Sequence, residues 1–97
     1  RDARRLREEQ VEADRVLEAL HSALAADGEQ LLQAGERVAI DEAAKQLEEQ
    51  RQGNDYRAIK RAIEAVEKAS SAYVERRMNS SIRKAMAGHK VDEFNSS

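Results

Sequence analysis

The sequence predicts a small all-α protein, and three features of its composition support that prediction. Ala, Glu, Lys, Leu and Arg supply 54 of the 97 residues, a bias typical of long helices and coiled coils. Proline is absent, and three aromatic residues are too few for the core of a β-sandwich or a barrel. Seventeen basic residues nearly balance nineteen acidic ones, and the resulting net charge of −2 argues against disorder driven by self-repulsion.

The first helix is predicted over residues 1–32. Its apolar stripe has helical spacing and consists of Ala13, Leu17, Leu20, Leu24 and Leu31. Gly28 interrupts the stripe and should cost about 1 kcal/mol relative to alanine. Because the stripe keeps its phase across the glycine, we predict that the helix continues through it. One helix of this length measures roughly 45 Å at 1.5 Å per residue.

The second helix is predicted over residues 36–52. Gly35 marks its entry, and Gly53 suits the position that follows a helix C-terminus. Its inner face has the spacing of a buried stripe and consists of Ile40, Ala43, Ala44 and Leu47. The short connections on both sides predict that neighbouring helices run antiparallel.

The third helix begins at Asn54 or Asp55, either of which is a good N-cap. Its stripe consists of Ile59, Ala62, Ile63, Val66, Ser70, Tyr73 and Val74, and drifts on through Met78, Ile82, Ala85 and Met86. We interpret the two methionines as core filler. Weak helix formers near Ser80 favour either a kink or a short fourth helix from there on. Gly88 is expected to stop the helix and leave residues 89–97 as a flexible tail.

These elements predict a three-helix bundle built from the second half of the first helix and residues 36–88. The first half of the first helix then projects from the bundle with part of its apolar stripe uncovered. Such a surface normally meets another domain or chain. The candidate partner-facing residues are Leu6, Ala13, Val16, Leu17 and Leu20. In isolation, we expect a weak homodimer through residues 1–20.

The sequence contains no pattern typical of catalysis or metal binding. His21 and His89 are the only histidines, cysteine is absent, and no phosphate-binding glycine loop occurs. We therefore expect no enzyme activity and no catalytic, cofactor or metal residue in this chain. A basic cluster near the C-terminal end consists of Arg76, Arg77, Arg83, Lys84 and Lys90. We interpret it as a solvated helix face, with binding of nucleic acid or another anionic surface as the rival interpretation.

Several strings along nearly the whole chain resemble one known family. They are Val11-Glu-Ala-Asp-Arg-Val-Leu-Glu-Ala-Leu20, Ala23-Leu-Ala-Ala-Asp27, Ala58-Ile59, Ala62-Ile63, Arg76-Arg-Met78, Gly88-His89 and Val91-Asp-Glu93. Together they resemble the C-terminal helical lid of the DnaK-type heat-shock chaperones. Within that family, the first string and the ending are most similar to the branch that serves iron–sulfur cluster assembly.

The resemblance implies that residues 1–97 form a single lid domain of a longer cytoplasmic chaperone. Such a chaperone has an N-terminal domain that binds ATP and a β-sandwich that binds an extended client peptide. The lid opens with ATP and closes with ADP. In this branch the client is similar to the iron–sulfur scaffold protein IscU, and a J-type co-chaperone assists. The resemblance implies neither a nucleic-acid nor a membrane partner, and it makes His21 a candidate for the latch histidine of the lid.

Two observations bear on this interpretation. The first turns carry four cations, which oppose the helix dipole, so we expect the chain to be a fragment of a longer one: Arg1, Arg4, Arg5 and Arg7. Composition alone, however, supports equally well a free-standing helical adaptor or coiled-coil protein.

Overall fold

The chain forms three helices joined by short connections. The computed structural model describes the backbone of residues 2–96 and the side chains of residues 2–87. The helices are α1 (Asp2–Leu31), α2 (Ala34–Arg51) and α3 (Tyr56–Ser96), and the described backbone contains no strand. The all-α prediction is therefore confirmed, and α1 runs unbroken across Gly28 as expected.

Polar groups at the helix starts explain where α2 and α3 begin. The backbone N–H of Gln33 donates to Oε1 of Glu36 at 3.0 Å, which satisfies one free amide at the start of α2. Asp55 is the N-cap of α3, since its Oδ1 accepts from the backbone N–H groups of Arg57 and Ala58 at 3.1 and 3.2 Å. Of the two N-cap candidates in the sequence, the aspartate fills the position.

The helices run up, down and up, with α1 parallel to α3. Arg5, near the start of α1, donates to the hydroxyl of Tyr56 at the start of α3. At the other end, Arg77 of α3 donates to Asp27, near the end of α1. The intervening α2 is antiparallel to both, as the short connections predict.

One apolar core lies between the three helices. Its buried members are Ala13, Leu17, Leu20, Ala23, Leu24, Ile40, Ala44, Leu47, Ile59, Ala62, Ile63, Val66 and Tyr73. All the large residues of the predicted helix-two and helix-three stripes up to Tyr73 are in this core, whereas Leu31 packs against it only partly buried. Several alanines at the contacts let the helices approach closely, so few large side chains suffice.

The prediction that the first half of α1 projects uncovered is wrong. Ala13, Leu17 and Leu20 are buried in the core, and Leu6 and Val16 pack against it partly buried. The physical reason is the register of the bundle, because α3 begins beside Arg5 and therefore covers α1 from its first turns. The apolar surface on which a homodimer was expected to form is thus largely used within the chain.

It is α3 that outruns the bundle. The helix passes Ser80 and Gly88 and continues to Ser96, so neither the separate short helix nor the stop at Gly88 is present. Met78 and Met86 were interpreted as core filler, and this is wrong: their side chains are 60% and 64% exposed. The reason is that α1 ends at Leu31 and leaves the later turns of α3 without a neighbour. The flexibility expected of residues 89–97 concerns motion and stays a prediction.

Candidate functional site

One corner of the bundle is held by a single arginine of α3. Nη1 of Arg76 donates to the backbone oxygen of Leu31 at 2.9 Å and to Oε1 of Glu36 at 2.8 Å. Nη2 of the same guanidinium donates to Oε2 of Glu36 at 2.6 Å. These bonds, with a further one from the Gln33 backbone, lower the pKa of Glu36 to about 2. The end of α1 and the start of α2 are therefore both fastened to α3.

A second polar cluster lies one turn away, between α1 and α3. The carboxylate of Asp27 accepts from Nε of Arg77 at 2.8 Å and from the hydroxyl of Tyr73. Both bonds lower the pKa of Asp27, Arg77 contributing more. Burial, followed by the bond to Asp27, raises the pKa of Tyr73 to about 12. The phenol therefore stays protonated and donates its hydrogen bond throughout the physiological range.

The opposite end of the bundle is fastened in the same way. Arg51 at the end of α2 donates from Nε and Nη2 to the two carboxylate oxygens of Asp14, at 2.8 and 2.9 Å. The guanidinium of Arg5 lies 5.8 Å from the ring centroid of Tyr56 and donates to its hydroxyl at 3.3 Å. Polar contacts thus join the helices at both ends of the bundle.

These contacts divide the basic cluster of the sequence into two groups. Arg76 and Arg77 stabilise the bundle through Glu36 and Asp27. Arg83 and Lys84 lie exposed on the later turns of α3. The side chain of Lys90 lies outside the described residues.

The later turns of α3 carry an exposed apolar surface, which we name the α3 ridge. It consists of Val74, Met78, Ile82 and Met86, with exposed fractions between 48% and 64%. A groove between α1 and α3, lined mainly by apolar residues, meets the ridge at Val74. Of the six exposed large hydrophobic residues among the described side chains, four are on α3 and one is on α1.

The remaining candidates from the sequence do not gather into a site. His21 is exposed, and its Nε2 lies 3.7 Å from Oε2 of Glu48 on the neighbouring helix. Among the described side chains, no three His, Asp or Glu residues come together as a metal-binding group. His89 lies outside them. Within the described helices, no membrane-length stretch is apolar enough to span a bilayer.

The α3 ridge was missed because helical periodicity reports a face, not what covers it. Val74, Met78 and Ile82 follow the core stripe of α3 at four-residue spacing, so they resemble core positions, although each such step turns about 40° further from the buried face. The signal that identifies them is length, because an apolar stripe beyond residue 77 has no equally long partner in α1 or α2.

No protein-family model matches the chain. Curated relatives do match it along nearly its whole length. The chain is 56% identical over 92 residues to an HscA homolog chaperone protein of Azoarcus sp., covering 95% of this chain and 15% of that protein. It is 53% identical over 93 residues to an HscA homolog of Tolumonas auensis, covering 96% of the chain and 15% of that protein.

A third relative gives the same result. The chaperone protein HscA of Escherichia coli is 55% identical over 91 residues, which cover 94% of this chain and 15% of that protein. The chain thus spans about 15% of the length of the curated relatives that it matches. An identity above one half along a continuous helical bundle identifies common ancestry with one segment of these proteins. The 97 residues are therefore homologous to one segment of the longer HscA chaperone proteins.

Proposed function

We propose that this segment is the helical lid of an HscA-type chaperone, which closes over a client peptide bound elsewhere in the longer protein. The observation that carries the proposal is the identity of 53–56% to HscA proteins along an all-helical unit. The resemblance to DnaK-type lids supplies the role.

The mechanics of the bundle support this role. A lid has to move as one body, since a hinge inside it would let the client escape while the rest stays closed. Here the Arg51–Asp14 pair holds one end of the bundle, and the bonds of Arg76 and Arg77 hold the other. The core between the two ends is continuous. The bundle therefore transmits a displacement of α1 to all three helices.

In this proposal the nucleotide acts at a distance. ATP binds in another domain of the chaperone, and the lid is a two-state element whose open and closed populations shift with nucleotide. The lid itself supplies no catalytic group. Its client is a scaffold protein for iron–sulfur clusters, assisted by a J-type co-chaperone in the cytoplasm, as the resemblance implies.

The rate of client release tests the proposal. A fluorescent client peptide is bound to the longer chaperone in ADP, and its dissociation is followed after addition of unlabelled peptide. Removal of residues 1–97 should accelerate release by about tenfold or more. Each 1.4 kcal/mol by which the closed lid stabilises the bound peptide corresponds to a factor of ten in peptide retention. Basal ATP hydrolysis should persist, because no catalytic group is removed.

A matched pair of substitutions separates the lid from nonspecific damage. Ile63→Ala removes buried apolar atoms and loosens the bundle, whereas Ile82→Ala changes an exposed residue of the same helix. Faster release in the first variant and unchanged release in the second support the proposal. Release in ADP that is as slow without the segment as with it would contradict the proposal.

A further inference from the structure

The two sulfur atoms of the chain belong to Met78 and Met86, since cysteine is absent. Both residues lie on the part of α3 that outruns the bundle, and they are 60% and 64% exposed. Methionine ordinarily fills irregular gaps in a protein core. Here both side chains are instead accessible to small reagents in the solvent.

The level at which the neighbouring helices end explains this exposure. Arg76 donates to the backbone oxygen of Leu31, the last residue of α1, and to Glu36 in the first turn of α2. Both neighbours of α3 therefore end or begin beside Arg76, and α3 continues past them. The open concavity next in line is formed by α3 alone and is lined by Arg77, Met78, Ser81 and Ile82.

An exposed thioether reacts with a peroxide by oxygen transfer. A lone pair of the sulfur attacks one oxygen of hydrogen peroxide, and the O–O bond breaks as the S–O bond forms. The departing hydroxide takes the proton from the transferred oxygen and leaves as water, so the sulfur is oxidised by two electrons and the peroxide is reduced by two. The product, methionine sulfoxide, is polar and chiral, and methionine sulfoxide reductases convert it back to methionine.

We propose that Met78 and Met86 form a reversible oxidation site, through which a peroxide turns the α3 ridge from apolar to polar while the bundle stays folded. Two of the four ridge residues change character in this reaction. Ile82 is then left with a polar side chain four positions away on either side. The site is independent of the lid proposal, because the reaction needs neither nucleotide nor client.

The bundle survives the reaction because neither methionine holds the core. Among the described side chains, the buried cluster contains leucine, isoleucine, valine, alanine and tyrosine but no methionine. Oxidation of a buried methionine would place a strong S–O dipole where no hydrogen-bond donor reaches it, which destabilises the folded state. At an exposed position the new oxygen accepts hydrogen bonds from water, so the contacts between the helices are unchanged.

Exposure also determines the stereochemistry of the product. A thioether sulfur has two lone pairs, and neither α1 nor α2 extends far enough to cover one of them at Met78 or Met86. A peroxide therefore reaches both lone pairs, and each methionine yields both sulfoxide epimers. Each of the two classes of sulfoxide reductase acts on one epimer, so either enzyme alone should restore only about half of the methionine, and the two together should restore all of it.

The test treats the 97-residue chain with hydrogen peroxide and follows oxygen uptake at each methionine by mass spectrometry of proteolytic fragments. Both should oxidise within about threefold of their rates in the same chain unfolded in urea, as expected for exposed thioethers. The oxidised chain should melt within about 4 °C of the untreated chain, the shift typical of changes at exposed positions. It should also elute earlier from a hydrophobic-interaction column, because the exposed surface has become more polar.

Two variants serve as matched controls. The double substitution Met78→Leu and Met86→Leu keeps the ridge apolar and removes both sulfur atoms, so peroxide should change neither its mass nor its elution. Leu47→Met places a thioether of similar volume at a fully buried core position. That thioether should oxidise about tenfold or more slowly than the two on the ridge, since the folded core excludes the reagent.

Four results would overturn the proposal. The first is oxidation of Met78 or Met86 in the folded chain as slow as that of the thioether introduced at position 47. The second is unfolding of the bundle when both are oxidised, and the third is an elution that oxidation leaves unchanged. The fourth is a sulfoxide that the two reductases together fail to reduce in the folded chain.

Discussion

Arg76 and Glu36 are 40 positions apart in the chain, and two hydrogen bonds of 2.8 and 2.6 Å join their side chains. Glu36 also accepts from the backbone of Gln33, and Arg76 also donates to the backbone of Leu31. One ion pair therefore closes the corner where all three helices meet.

Loss of this corner should lower stability modestly, because both side chains are partly exposed. Replacement of Arg76 by Ala is expected to lower the melting temperature by a few degrees, as for a partly exposed pair with one extra backbone bond. Arg61→Ala is a suitable control, since Arg61 is an exposed position on the same helix. Equal melting temperatures of the two variants would show that the corner bonds do not stabilise the bundle.

Acid should weaken the same contact. The pKa of Glu36 is lowered from 4.5 to about 2 in the folded chain, first by Arg76 and then by the Gln33 backbone. Its contribution is therefore complete above the unfolded value and is lost as pH falls from about 4.5 towards 2. Between about pH 6 and about pH 2, the free energy of urea unfolding should fall less steeply for Glu36→Gln than for the unmodified chain. If the unfolding free energies of the two chains fall in parallel with pH, the assignment of the lowered pKa to Glu36 is contradicted.

The two tyrosines should titrate separately. Burial and Asp27 raise the pKa of Tyr73 to about 12, whereas Arg5 and Arg57 lower the pKa of Tyr56. Absorbance of phenolate should therefore rise in two steps, and Tyr73→Phe should remove the upper one. Because the folded pKa of Tyr73 is raised, its contribution to stability is present below about 10 and is lost as pH rises through about 12. A single step for both tyrosines near 10 would contradict this pair of environments.

The buried hydrogen bond of Tyr73 should also be measurable at neutral pH. The Tyr73→Phe variant keeps the ring in the core but leaves Asp27 with only Arg77 as its side-chain donor. The expected cost is about 1 kcal/mol, the usual net value of such a bond. Tyr56→Phe, at a partly exposed position, is the control. Urea unfolding in which Tyr73→Phe is no less stable than the control would be inconsistent with the contact.

Ile63 and Ile82 form a matched pair in one helix with opposite surroundings. Ile63 is 5% exposed in the core and Ile82 is 52% exposed on the α3 ridge. Ile63→Ala should cost about 2–5 kcal/mol through lost burial and a residual cavity. Ile82→Ala should change the unfolding free energy by less than about 0.5 kcal/mol. Equal costs in chemical denaturation would mean that the core is wrongly placed.

Most of the fold follows from local signals in the sequence. The phase of Ile59, Ile63 and Val66 identifies the buried face of α3, and the side chain of Asp55 identifies its start. These signals act over one to four turns. They require no knowledge of the neighbouring helices.

The register between helices does not follow from local signals. Periodicity shows which face of α1 is buried, but not that α3 begins beside Arg5 and runs on past Leu31. Register depends on contacts between distant residues, such as Arg76 with Glu36 and Arg51 with Asp14. The uncovered apolar surface was therefore expected on the wrong helix.

The lid proposal is tested most directly by a distance. The chain contains no cysteine, so Ser22→Cys on the exposed face of α1 gives this segment a single site for a spin label. A second label is placed on the bound client peptide of the longer chaperone, and the distance distribution is measured by pulsed electron resonance in ADP and in ATP. If the segment is a lid, the short distance between the two labels should dominate in ADP, and a long distance should gain population in ATP. One unchanged distribution in both nucleotides would contradict the lid role.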